Sequence, residues 1–226
     1  MDDQQPLFKW SWLTENWDND SPTSIVTLLQ AHVLMAGVPI VLGLLIAVPL
    51  GLVCVRWRWL YQPVSGLMNA VYALPSLPLF MLLLGVTGRP QPATVIIPLT
   101  FYAVAVLMPA VVDGLGSVPE HVRQAATAMG FTHMRRLIRV DLPIAVPVVL
   151  AGLRVVAVSS ISLVSVGALI GQGGLGNFFT DAFQRDFYTP AIAGIVLIVL
   201  LALVADGIIV AAQRLLTPWV RARRGT

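Results

Sequence analysis

The chain has 226 residues, of which 57% are hydrophobic and 11% charged, with a formal net charge of +3. A soluble domain carries about 25% charged residues, so this chain lacks the polar side chains for a water-facing surface, and its mean hydropathy of +0.83 excludes disorder. A single lysine and no basic stripe on a soluble element argue against nucleic-acid binding, and a lone cysteine, Cys54, excludes an intrachain disulfide or a cysteine-based metal cluster.

Residues 1–32 form an acidic stretch without the basic start of a signal peptide. Within it, Ser21–His32 is of mixed polarity and follows a Ser-Pro, which predicts a short interfacial helix. A hydrocarbon core of about 30 Å needs about 20 apolar residues of helix. Five runs meet that length: Val33–Cys54, Val64–Val86, Ala93–Val112, Pro147–Gly171 and Pro190–Ala212. The expected fold is therefore an all-α membrane protein with five transmembrane helices. Residues 33–212 make one membrane domain, and residues 213–226 make a basic tail.

Arginines fall mainly on one side of these runs. Arg56 and Arg58 follow the first, Arg123, Arg135, Arg136 and Arg139 follow the third, and Arg214, Arg221, Arg223 and Arg224 follow the fifth. The other side holds Lys9, Arg89 and Arg185 with the acidic residues Asp2, Asp3, Glu15, Asp18 and Asp20. The positive-inside rule then places the N-terminus outside and the C-terminus in the cytoplasm. All six tryptophans fall at expected membrane–water boundaries.

Pro39, Pro49, Pro75, Pro78, Pro98 and Pro109 each delete a backbone donor, so their helices are expected to kink or break, with Pro75–Pro78 splitting the second span. Gly43, Ala47 and Gly51 recur every four residues, as do Gly167 and Gly171, and offer faces for close helix packing. Arg154 and Asp206 are the two charges inside the five runs. They have opposite signs and similar expected depth, which predicts an intramembrane ion pair.

The longest connection on the arginine-rich side is Asp113–Val146. Ser117-Val118-Pro119-Glu120 has the form of a capping box with proline in the first turn. It predicts a helix to about Met129 ended by Gly130, with Val122, Ala125, Ala126 and Met129 on one face. Thr132 caps a second helix through Arg139, which Asp141-Leu142-Pro143 closes. Helix, glycine hinge and helix make a knob whose small alanines let another backbone approach.

The residues from Gln124-Ala125-Ala126 to Gly130, then nine more, then Val140-Asp141-Leu142-Pro143, resemble the EAA motif. That motif marks the membrane subunits of binding-protein-dependent ABC importers. Two positions depart: Gln124 stands for a glutamate and Val140 for an isoleucine. Glu120 lies one turn before the missing charge. Tyr72–Leu79, Ala151–Arg154 and Leu169–Gly176 resemble the glycine betaine/carnitine/choline branch, and the methionine-importer branch has related stretches.

The resemblance implies a methionine-importer-like permease core in the bacterial plasma membrane. Its partners would be ATP-binding ABC subunits, a second permease subunit (identical or homologous), an external substrate-binding protein and membrane lipid. Glu120, Gln124, Ala125, Ala126, Gly130, Arg135, Leu142 and Pro143 would couple to the ATPase. Gly171, Gly173, Gly174 and Gly176 would form a flexible loop at the outer gate. The cargo would be an osmoprotectant such as glycine betaine, carnitine, choline or proline, or methionine or another small solute.

Gly171–Gly176 also satisfies G-x-G-x-x-G, but a long apolar run rather than a short strand precedes it, so a dinucleotide fold is not expected. His32, His121 and His133 lack ligand spacing and read as interfacial or loop histidines, not a metal site. No P-loop pattern occurs, so no cofactor is expected on this chain, and ATP and Mg belong to the partner ATPase. The chain is thus expected to be non-catalytic. Two rivals are a stand-alone channel or secondary transporter, which would need charges at the midplane, and an inert membrane anchor or assembly factor, which would not need the prolines.

Overall fold

Apolar backbone in lipid must satisfy its polar groups internally, and every regular element among the described residues is a helix. The computed structural model describes residues 7–19 and 21–219. Asp2, Asp3 and Asp20 of the acidic stretch, and Arg221, Arg223 and Arg224 of the basic tail, lie outside the described residues.

A short helix, α1 (Trp10–Glu15), precedes α2 (Ile25–Arg56), which is longer than the run that predicts it. The stretch expected to form a separate interfacial helix instead supplies the first turns of α2. Two local reasons account for the difference. Ser24 Oγ accepts from the Thr27 amide at 3.2 Å and so caps the helix early. His32 does not stop the helix, because its ring is enclosed and hydrogen-bonded.

The second run is broken, as its prolines predict. α3 (Tyr61–Ala73) and α4 (Ser76–Thr87) meet at 91°. Pro75 disfavours helical geometry at Leu74 and itself stands extended before α4 (φ −62°, ψ 135°). Pro78 falls in the first turn of α4, where a missing amide costs least. By contrast, α2 runs unbroken through Pro39 and Pro49, and α5 (Pro92–Gly116) through Pro98 and Pro109.

The remaining elements are α6 (Glu120–Ala128), α7 (His133–Arg136), α8 (Leu142–Val164), α9 (Asn177–Arg185) and α10 (Thr189–Leu216). A 3₁₀ segment, Ser165–Ile170, extends α8. Among the described residues four helical stretches can cross a membrane, or five if the bent α3–α4 pair is one span. Within the most apolar window, α5 is 56% buried and α10 is 0% buried, so α10 leaves its surface to lipid or other chains.

The chain forms two compact units. The first comprises Met1–Ile40, Leu74–Thr100 and Ala157–Val204. Its core joins Ile25 and Leu28 of α2 to Leu175 and Phe178, and Trp12 meets Phe178 edge to face at 5.4 Å. The second comprises Val41–Ala73, Phe101–Val156 and Ala205–Thr226. Its core is Val111, Leu115 and Ala145, with Leu52, Leu137 and Leu142 packed against them. The small-residue face of α2 is used here. A β-carbon on Gly43 would strike Ala103, and one on Gly51 would lie 2.6 Å from Val111 Cγ1, so α2 and α5 approach more closely than larger side chains permit.

Candidate functional site

The Asp113–Val146 connection folds as helix, turn and helix. α6 begins at Glu120 after Pro119 (φ −62°, ψ 139°), and the acidic side chain lies in its first turn, where the helix dipole favours it. The expected capping box does not form. Ser117 Oγ donates instead to the Gly114 carbonyl at 2.7 Å, and Arg123 donates to the Leu115 carbonyl at 2.5 Å. Both side chains thus satisfy carbonyls at the end of α5 that have no helical donor.

Gly130 ends α6 as predicted. It adopts φ +79°, its amide donates to Thr127 O at 2.9 Å, and the Phe131 amide donates to Ala126 O at 3.1 Å. This is the hydrogen-bond pattern of a Schellman turn, whose left-handed residue is usually glycine. Thr132 then caps α7 by accepting from the Arg135 amide at 3.4 Å.

The second helix is not closed at Asp141-Leu142-Pro143. Leu137–Asp141 makes a π-helical turn, with the Leu142 amide donating to Leu137 O, and the chain runs on into α8. The wider turn directly precedes Pro143 and opens the ladder where the proline ring would otherwise meet a carbonyl. A proline that reads as a stop is thereby absorbed into a continuing helix.

Asp141 anchors this region. It is 5% exposed and faces Arg136 Nε at 3.4 Å and Arg123 Nε at 3.9 Å, so one carboxylate draws α6 and α7 together. Arg123 and Asp141 were not among the expected site residues. The available signal was an acid in an otherwise basic connection. The expected single apolar face of α6 is divided: Ala126 is buried and Val122 half-buried, while Ala125 and Met129 point outward. Glu120, Gln124, Ala125 and Gly130 are exposed, as are Met134 and Ile138 beyond the turn. Arg135 lies over the Phe131 ring at 4.8 Å, and Leu142 and Pro143 are half-buried supports.

Arg154 and Asp206 meet as a fork, Nε to Oδ1 at 2.6 Å and an Nη to Oδ2 at 2.9 Å. Arg154 is twelve residues into α8 and Asp206 ten from the end of α10, about 18 Å and 15 Å along the helices. Both are deeper than the sequence-based spans imply, because both helices extend further toward the arginine-rich side. Their side chains are 43% and 29% exposed on this chain alone.

The glycine-rich segment differs most from expectation. Gly173, Gly174 and Gly176 are buried, and what they provide is close approach rather than a flexible loop. Gly174 sits at φ +51°, and a β-carbon there would lie 2.8 Å from His32 Cβ. On Gly173 a β-carbon would strike Ala168, and on Gly176 it would be 2.6 Å from Ser165 Cα. Gly171 also has positive φ and closes the 3₁₀ segment.

His32, expected at an interface or in a loop, is fully buried and holds this segment. Its Nδ1 accepts from the Leu175 amide at 3.2 Å, so Nε2 carries the proton and donates to Ile161 O at 2.9 Å. The neutral ring has both nitrogens occupied by backbone. Among the described residues no group of three or more His, Cys, Asp or Glu side chains could hold a metal.

Residues 33–221 match the family described as binding-protein-dependent transport system inner membrane component. The chain is 32% identical over 203 residues to the osmoprotectant import permease protein OsmW of Salmonella typhimurium, covering 88% of this chain and 94% of that one. It is 32% identical over 193 residues to the choline transport system permease protein OpuBB of Bacillus subtilis, covering 83% and 86%. The fold resembles a chain of the MetNI methionine ABC transporter in its inward-facing form. That likeness has a TM-score of 0.68 at 23% identity over 83% of this chain and 95% of that one.

Proposed function

The chain belongs to the binding-protein-dependent transport system inner membrane components, and from that premise we propose that it is the permease of an importer for quaternary-ammonium osmoprotectants. Permeases named for osmoprotectant import and choline transport, aligned over most of their length, support the cargo class. The methionine-transporter likeness bears on the fold alone. Arginine placement supports an external N-terminus and cytoplasmic Asp113–Val146 loop and C-terminus.

The observation that carries the mechanism is the knob of α6, Gly130 and α7. Its inner side is tied down by Asp141, and its outer side shows Ala125, Met129, Met134 and Ile138. Exposed apolar and small side chains beside Gln124 and Glu120 suit a cleft on a separate ATP-hydrolysing subunit. Because α7 continues through the π turn into α8, a push on the knob is delivered to a membrane span without an intervening loop. Two such permeases, two ATPases and an external binding protein complete the importer. ATP with its magnesium acts on the partner chains, and this chain supplies the path.

Gly130→Val tests the coupling. A β-branched residue at φ +79° distorts the turn between α6 and α7. The complex should still assemble in the membrane and hydrolyse ATP while glycine betaine uptake falls by about tenfold or more. Uptake equal to that of the unmodified importer would show that the turn is not the coupling element.

A further inference from the structure

A cavity of about 520 Å³ opens in the second unit, walled by the end of α2, the turn into α3, the end of α5 and Arg123 of α6. That volume suits a small molecule. Cys54 and Val112 give it an apolar floor. Arg58 and Asp113 stand in its wall with opposite charges, and among the described residues neither side chain has an ion-pair partner. Tyr61 adds an aromatic ring to the same wall.

These groups select a ligand type. A phosphate site gathers cations and avoids carboxylates, whereas here the free cation is matched by a free anion. Arg123 is already engaged by the Leu115 carbonyl and by Asp141, so it closes the cavity without offering a second free charge. A molecule carrying both a carboxylate and an ammonium would bridge Arg58 and Asp113, and a methylated ammonium is also stabilised by an aromatic ring.

We propose that this cavity binds a small zwitterion with a carboxylate and a quaternary ammonium, separately from any transport path. The identity of the ligand rests on the cargo class proposed above. The site faces the cytoplasm in that topology, so it senses imported solute. A ligand wedged there lies against Arg123, which fastens α6 to α5 and to Asp141. Occupancy therefore holds the coupling knob in one arrangement and slows further import.

The test uses the complete importer in vesicles with ATP and the arginine-rich face inside, at equal osmolality. Uptake of glycine betaine into vesicles without luminal solute establishes the cargo on its own. Preloading the lumen with glycine betaine should then slow the initial rate. Luminal choline, which lacks the carboxylate, and acetate, which lacks the ammonium, should each need about tenfold higher concentration for the same effect. Arg58→Gln and Asp113→Asn should keep the rate of empty vesicles and lose the inhibition.

Absent inhibition, inhibition that persists in both variants, or choline acting as well as glycine betaine would overturn the site. If empty vesicles take up no glycine betaine, the cargo reading fails. The cavity is then judged by titrating glycine betaine into the permease–ATPase complex without binding protein. Heat of binding lost in both variants sustains the site, and no binding overturns it.

Discussion

His32 and Asp141 each bury a polar side chain that ties a helix to its neighbours, and they do so with different chemistry. His32 is a neutral ring with two backbone partners, at 2.9 and 3.2 Å, surrounded by glycines that leave no spare room. Asp141 is a charge shared between two arginines at 3.4 and 3.9 Å, and Arg123 Nε, Arg136 Nε and Asp141 Oδ1 make no directed hydrogen bond. The first arrangement specifies one geometry. The second supplies attraction that falls slowly with distance and tolerates small shifts. The glycine segment is thus built to stay as it is, and the coupling loop is built to adjust without coming apart.

The largest effect expected from this contrast is at Gly174. A valine there must adopt φ +51° with its β-carbon 2.8 Å from His32 Cβ, so Gly174→Val should remove the folded protein from the membrane fraction. Gly37→Ala, at a helix position with nothing within 4 Å, should leave its amount unchanged. Similar yields of the two would deny that close packing explains the glycines.

Next in size is His32→Ala. It leaves the Leu175 amide and Ile161 carbonyl buried without partners, at about 1–3 kcal/mol each. Thermal unfolding of the purified protein should shift down clearly, and His32→Gln, which can donate and accept, should recover part of the loss. A glutamine variant no better than alanine would mean that ring volume, not hydrogen bonding, matters.

Asp141→Asn should cost less, about 1–3 kcal/mol, because an amide still fills the site but no longer offsets two arginines. The protein should insert normally and retain its ATPase partner less well during purification. Full retention with full uptake would remove Asp141 as the anchor of the loop.

The smallest effect concerns Arg154 and Asp206. Each single alanine variant should impair uptake, and the double variant should keep about threefold more activity than the two losses multiplied together predict. Multiplicative losses would mean that the fork carries no functional coupling.

Much of this architecture is legible in the residues. Apolar runs locate every membrane-crossing helix, Pro75 locates the bend, Gly130 the turn and Thr132 a cap, because each acts through neighbours in sequence. Arg154 and Asp206 are legible because two opposite charges in apolar helices have few stable alternatives to meeting. The misreadings share another cause. The partner of Gly174 and Leu175 is His32, 143 residues before Leu175, so periodicity presents the glycines as loose and the histidine as a boundary. Ser117 looks like a cap for the helix ahead, while the carbonyl it binds belongs to the helix behind.

The π turn at Leu137–Asp141 has a consequence for how this chain can change in length. Each residue of an α-helix advances the side-chain direction by about 100°, so the wide turn sets the rotational phase of everything after it. Deleting one residue there would restore a regular ladder and turn α8 by about that angle relative to α7. Gly152 would no longer face Ala110, and Arg154 would point away from Asp206. The segment between knob and span is therefore a place where substitutions are tolerable and single-residue length changes are not.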